Sequence, residues 1–240
     1  PPVYGIVAAI LAGCVAGCWT GLLNTKLKIN SLLAGILMMT VLYSLNLRIM
    51  GRSNIQLLTV QTFLTPLENL EVNRFIPIIA FFLVVSFGIK ILSDIFLHTE
   101  IGFAMRATGD NEQMIRSLGV NTDNMTVLGL GISNAMVALC GALVAQDQGF
   151  SDVGMGIGMI VAGLASIIIG EALVGKHTVQ RMTLAALTGS FLYKEIISIG
   201  LRLGLAPTDL KLATGIMGIL ALGIPSLRGE KEGKLHLRGV

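Results

Sequence analysis

The chain has 240 residues, of which 53% are apolar and 13% charged, with a formal net charge of +3. So little charge on so much apolar sequence excludes an ordinary water-soluble domain and a disordered segment, and no basic run interleaved with aromatics suggests a nucleic-acid surface. The three cysteines, Cys14, Cys18 and Cys140, lie inside apolar runs and offer neither a disulfide framework nor metal-ligand spacing.

Apolar segments at 3–23, 30–50, 75–97, 125–146, 157–174, 182–203 and 209–227 approach or exceed the roughly 20 residues that cross a hydrocarbon core. Each is predicted to be a helix, since every backbone amide in a bilayer must be satisfied within its own segment and no outer-membrane-strand alternation exists. The expected fold class is all-α: one polytopic transmembrane domain over 1–240, with about seven membrane segments. The chain opens Pro1-Pro2-Val3 with no methionine or charged leader, so a preceding first span is expected to be missing from it.

In the first segment Gly13, Gly17 and Gly21 recur every four residues, a small-residue face expected to admit another helix closely; Gly200 and Gly204 are expected to act likewise. Gly154, Gly156 and Gly158 follow no strand and precede no P-loop lysine, so they read as a flexible helix entry rather than a nucleotide site.

Between the third and fourth segments, residues 99–120 form a polar island, TEIGFAMRATGDNEQMIRSLGV. Two short helices are predicted: 100–108, stopped by Gly109, and 111–118, opened by Asp110 with Gln113 three residues later and closed by Gly119. Paired caps argue against disorder, and a loop of this length between spans reads as a docking knob gripped by something outside the membrane. A loop merely lying on lipid would want a stronger basic face than Arg106 and Arg116 supply.

Lys and Arg set the orientation. Loops 24–30, 98–124 and 175–181 and the tail after Leu227 carry Lys26, Lys28, Arg106, Arg116, Lys176, Arg181, Arg228, Lys231, Lys234 and Arg238, against Arg48, Arg52, Arg74, Arg202 and Lys211 opposite. The richer side is predicted to be cytoplasmic, which puts the knob in the cytosol and loops 51–74, 147–156 and 204–208 outside.

Ionisable groups within apolar runs each need a reason. Lys90 and Asp94, one helical turn apart, are expected to neutralise each other. Asn134 is expected to hydrogen-bond between helices. Glu171, bounded by Gly170 and Gly175, suggests a helix end or a discontinuous helix, contacting either solute or a base such as Lys176. Lys194 and Glu195 point about 100° apart on a helix and cannot simply pair with each other. With Asn134 and Glu171 they are the candidate translocation path. Arg202 is expected to snorkel outward, and Asp209 to cap the last helix.

The chain resembles the permease subunits of ABC importers in the branched-chain amino acid and ribose permease superfamily. That family carries a cytoplasmic segment T-x-x-G-x-x-x-R-A-x-G-x-N followed by a short helix and Leu-Gly; here Thr99, Gly102, Arg106, Ala107, Gly109, Asn111, Leu118 and Gly119 occupy those positions. The KIN plus apolar run at 28–42, the Gly-rich 157–175 region and the closing pair of helices share the resemblance, while 204–212 and Ile-Gly-Glu at 169–171 look like a branch associated with amino-acid-binding lipoproteins. Glu171 stands where sugar and branched-chain permeases commonly have a second glycine.

The resemblance implies a type II-like importer permease fold in a bacterial inner membrane. The implied partners are a cytoplasmic ATP-binding subunit, a second permease copy and an extracytoplasmic solute-binding protein. ATP and Mg²⁺ would sit on the partner, with no cofactor, metal or catalytic residue in this chain. The implied coupling residues are Thr99, Glu100, Gly102, Phe103, Arg106, Ala107, Gly109, Asn111, Glu112 and Gly119, with Arg106 and Glu112 contacting the ATPase through charge and Phe103, Met105, Met114 and Ile115 filling its cleft. No G-x-x-x-x-G-K-[ST] is present. The rivals are an ion-coupled secondary transporter using Glu171 or Lys194 and Glu195, and, more remotely, an intramembrane enzyme, for which His98, His177 and His236 lack partner spacing.

Overall fold

The computed structural model describes residues 2–57, 62, 75–157, 159–175, 177–202 and 204. Among them run α1 Pro2–Thr25, α2 Ser31–Met50, β1 Asn54–Gln56, α3 Phe75–Leu97, α4 Glu100–Asp110, α5 Glu112–Ser117, α6 Thr122–Gln148, β2 Phe150–Asp152, α7 Met159–Val174 and α8 Val179–Arg202. Five of these helices, α1, α2, α3, α6 and α8, are long and apolar enough to cross a membrane. With 16 residues, α7 is about 24 Å long, short of a roughly 30 Å hydrocarbon core. The glycine-rich stretch 153–157 before it forms turns instead of extending the helix. The expected segment 209–227, with Asp209, lies outside the described residues, as do Gly158 and Lys176.

The chain divides into two compact units, one of Pro1–Gly88 with Ile95–Met155 and one of Ile89–Asp94 with Gly156–Val240. In the first, α1 lies antiparallel against α6. A Cβ on Gly21 would stand 2.7 Å from the Val127 Cα, and one on Gly13 or Gly17 would overlap the carbonyl of Asn134 or Leu130. Only hydrogen at these positions leaves room for the α6 backbone, and close packing of this kind is what holds helices together where lipid removes the hydrophobic drive. Asn134 is part of this seam, but its side-chain amide donates to the Leu130 carbonyl of its own helix at 2.9 Å. The interhelical bond expected of it is thus replaced by one running along α6.

Two polar ties fix which ends of these helices share a side. Lys26, after α1, lies 3.9 Å from Asp123 in the first turn of α6. At the other end β1 and β2 pair antiparallel in the register Asn54–Asp152, Ile55–Ser151 and Gln56–Phe150. The ladder is extended by Leu57 N–H donating to the Gly149 carbonyl at 2.7 Å and Val153 N–H to the Ser53 carbonyl at 3.0 Å. Gly149, at φ +71, supplies the left-handed residue that turns the chain from α6 into β2. Both ties agree with the grouping of loops 24–30 with 98–124 and of 51–74 with 147–156 read from Lys and Arg.

In the second unit α7 and α8 pack antiparallel through small residues. Ala165, Ser166 and Gly170 of α7 face Ala185 and Gly189 of α8, all buried, with Tyr193 buried one turn beyond. A Cβ on Gly170 would overlap the Ala185 carbonyl, and one on Gly189 the Ser166 carbonyl. Lys90 Nζ and Asp94 Oδ2 meet at 2.5 Å, as their spacing predicts. Thr183 of α8 adds a hydroxyl that donates to Asp94 Oδ1 at 2.6 Å, so the pair also tethers α8 to this turn of α3.

Candidate functional site

The knob is built by a tight turn and three caps. His98 N–H and Thr99 N–H donate to the Ile95 and Phe96 carbonyls at 3.2 and 3.0 Å, closing α3. Thr99 Oγ1 then accepts from Gly102 N–H at 3.2 Å and so opens α4. Gly102 is buried, and a Cβ there would overlap the Phe96 carbonyl, which explains why threonine and glycine stand three residues apart. Glu100 lies in the first turn of α4, where a negative charge suits the helix dipole.

The join between α4 and α5 differs from the sequence expectation. Exposed Gly109, under no demand for a left-handed backbone, stays helical, and α4 runs on to Asp110. Asn111, extended at φ −153, serves both helices: its N–H donates to the Ala107 carbonyl, and its side chain accepts from Met114 N–H at 3.0 Å. The cap is therefore Asn111 with Met114, one residue beyond Asp110 with Gln113. At the far end Gly119 sits at φ +87. Its N–H donates to the Arg116 carbonyl at 3.1 Å and Val120 N–H to the Ile115 carbonyl at 3.4 Å, a Schellman closure.

Arg116 locks α5 onto α6. Its guanidinium donates to Glu112 Oε1 at 2.8 Å, to Thr122 Oγ1 at 2.8 Å and to Asp123 Oδ1 at 3.3 Å. The Thr122 hydroxyl donates in turn to Glu112 Oε1 at 3.1 Å, with Thr122 only 2% exposed. Glu112, expected to reach outward to a partner, has its Oε1 engaged within the knob while its side chain stays 59% exposed. The signal in the sequence was Glu112–Arg116 spacing at i,i+4; Thr122 carried none. Thr122→Val removes both an acceptor and a donor at a buried point, at a cost of about 1–3 kcal/mol. Hydrogen–deuterium exchange is expected to quicken over 112–120 and to stay unchanged in α1; equal exchange in both would show that the cluster does not hold α5.

The outer surface of the knob is apolar. Ile101, Phe103, Met114 and Leu118 are all at least half exposed. Phe103 and Leu118 border a groove of about 420 Å³ also lined by His98, Ala107 and Val120. Ile115, expected to enter a partner's cleft, is 6% exposed and fills the knob's own interior. Met105 turns the other way, its Sδ 3.0 Å from where a Cβ on Gly129 of α6 would sit. Two short helices that sit on α6 need inner faces, and Ile115 of α5 and Met105 of α4 provide them. The Arg106 guanidinium stands 5.5 Å from the Phe103 ring centroid, a cation–π distance. Its Nε is buried with no hydrogen-bond partner among the described residues.

The candidate path residues fall in separate places. Asn134 belongs to the first unit and its α1–α6 seam. In the second unit Glu171 is half-buried in the last turn of α7, which runs unbroken through it and stops at Gly175, φ +81. Lys194 and Glu195 are exposed on α8.

Over residues 1–224 the chain matches the family described as branched-chain amino acid transport system, permease component. It is similar to the tyrosine transport system permease protein of Clostridioides difficile (strain R20291), 48% identical over 226 residues, 94% of this chain and 74% of that protein. It is also similar to the autoinducer 2 import system permease protein LsrC of Yersinia pseudotuberculosis (serotype O:3, strain YPIII), 29% identical over 202 residues, 82% of this chain and 55% of that one. No solved structure matches. These similarities and the apolar helices make it a multi-pass protein of the bacterial inner membrane, of a family whose ATPase activity lies on a partner subunit. The chain belongs to the branched-chain amino acid transport permease family of ABC importers, as a membrane subunit without ATPase activity of its own.

Proposed function

We propose that two copies of this chain enclose a pathway for a free amino acid, aromatic ones first among them, received from an extracytoplasmic solute-binding protein. An ATP-binding subunit grips the knob from the cytosol, holding the ATP and Mg²⁺, and its closure drives alternating access. The observation that carries this reading is the knob's outer face: Phe103, Met114 and Leu118 exposed on a segment that caps and Arg116 bonds hold rigid. An apolar patch on a preorganised support is what a partner's cleft can bind without first ordering it. The amino-acid assignment draws on 48% identity across 94% of the chain to a protein named for tyrosine transport.

The test is uptake into proteoliposomes holding this chain with its ATP-binding subunit and binding protein. Labelled tyrosine is expected to accumulate only when ATP is supplied, with leucine and ribose poor substrates. Uptake without the ATP-binding subunit, or of the sugar alone, would overturn the proposal.

A further inference from the structure

Resting on the reading that two copies assemble, we infer that they meet along the face of α8 that carries Phe191, Lys194 and Glu195, each Lys194 pairing with the Glu195 of the second copy. The inward face of α8 is settled: Ala185, Gly189 and Tyr193 are buried against α7 or close beside it. At about 100° per residue, Phe191 lies nearly opposite that stripe. Lys194 and Glu195, three and four residues on, stand one turn above Phe191 and on either side of it. All three are exposed, Phe191 by 66%.

Both charges lack a partner on their own helix. One turn away stand Ser190, Phe191, Leu192, Ile197, Ser198 and Ile199, none of them ionisable, and among the described residues neither charge takes part in an ion pair. Lys194 is about 12 Å of helix short of Arg202, beyond what a lysine stem covers by snorkelling. Facing lipid, each would be a costly unpaired group.

A two-fold axis along the membrane normal resolves both at once. Two parallel copies of α8 facing each other across Phe191 bring the left flank of one against the right flank of the other. Lys194 of each then meets Glu195 of the other, about 1.5 Å apart in height. The face is self-complementary because its two charges are opposite and adjacent, one on each flank.

The experiment uses the full chain with Cys14, Cys18 and Cys140 replaced by alanine and Phe191→Cys added, oxidised in native membrane vesicles with and without its ATP-binding subunit. A disulfide-linked dimer is expected. Lys194→Glu or Glu195→Lys alone should lower the dimer yield about tenfold, and the double exchange Lys194→Glu with Glu195→Lys should restore it. Dimers formed from cysteines on another face, but not from position 191, would overturn the inference and leave the two-copy reading standing. Absence of a dimer from every position, and by native mass spectrometry, would remove both. Dimer yields indifferent to charge, with uptake lost, would assign the two charges to a zwitterionic solute instead.

Discussion

Leucine at Gly17 or at Gly170 is expected to remove most of the folded protein from the membrane. At Gly17 even a Cβ would overlap the Leu130 carbonyl, and at Gly170 the Ala185 carbonyl. The obstacles are main chain rather than the flexible ends of side chains, so neither site can relax by changing a rotamer. The cost should exceed the roughly 1–3 kcal/mol of an ordinary overpacked core. In each unit the glycine stands at the contact on which the helix pair depends, since lipid-solvated helices associate by close packing. The measurement is the monodisperse fraction after detergent extraction, with Gly35→Ala as control, where a Cβ meets nothing within 4 Å. Equal recovery of Gly17→Leu, Gly170→Leu and Gly35→Ala would show that the helices do not approach as described.

The second large effect is expected on the knob's surface. Phe103→Glu and Leu118→Glu place charges where the outer face is apolar, at residues 65% and 69% exposed, whose side chains are not part of the buried core. Both variants should insert and extract normally. If these side chains are anchors in a partner's cleft, each should weaken attachment by about 2 kcal/mol, roughly thirtyfold, and ATP-driven uptake should fall with it. Arg106→Glu should act in the same direction, since it replaces a cation over the Phe103 ring by a carboxylate. Full uptake and full copurification of the ATP-binding subunit in the Phe103 and Leu118 variants would place the docking surface elsewhere.

Long apolar helices are legible in a sequence because their ends are where polarity returns, and the expected 182–203 becomes Val179–Arg202 with a shift of a turn or less. The knob was legible as a capped pair, but its join moved by one residue. Asp110 and Asn111 are both able caps, and the bonds Asn111 makes, its N–H to the Ala107 carbonyl and its side chain from Met114 N–H, decide between them. Which apolar side chains face outward was not legible: six-residue α5 has too few turns for a periodicity, and Ile115 and Met114 look alike until α6 is in place beneath one of them. The Lys90–Asp94 pair was local and readable, whereas Thr183, 89 residues further on, enters only through packing. Lastly, three-residue strands carry no alternation to detect, so β1 and β2 arise from two loops leaving the same side together.

The β1–β2 ribbon bears on how an alternating pore can move. By stitching the chain just after α2 to the chain just after α6, it ties those two helix ends together at the end of the bundle away from the knob. The α1–α6 seam and the Lys26–Asp123 contact hold the same bundle from within and at its opposite end. Such a bundle is expected to tilt as one piece during transport, so that a mouth at its strand end would open along an outer edge of the bundle.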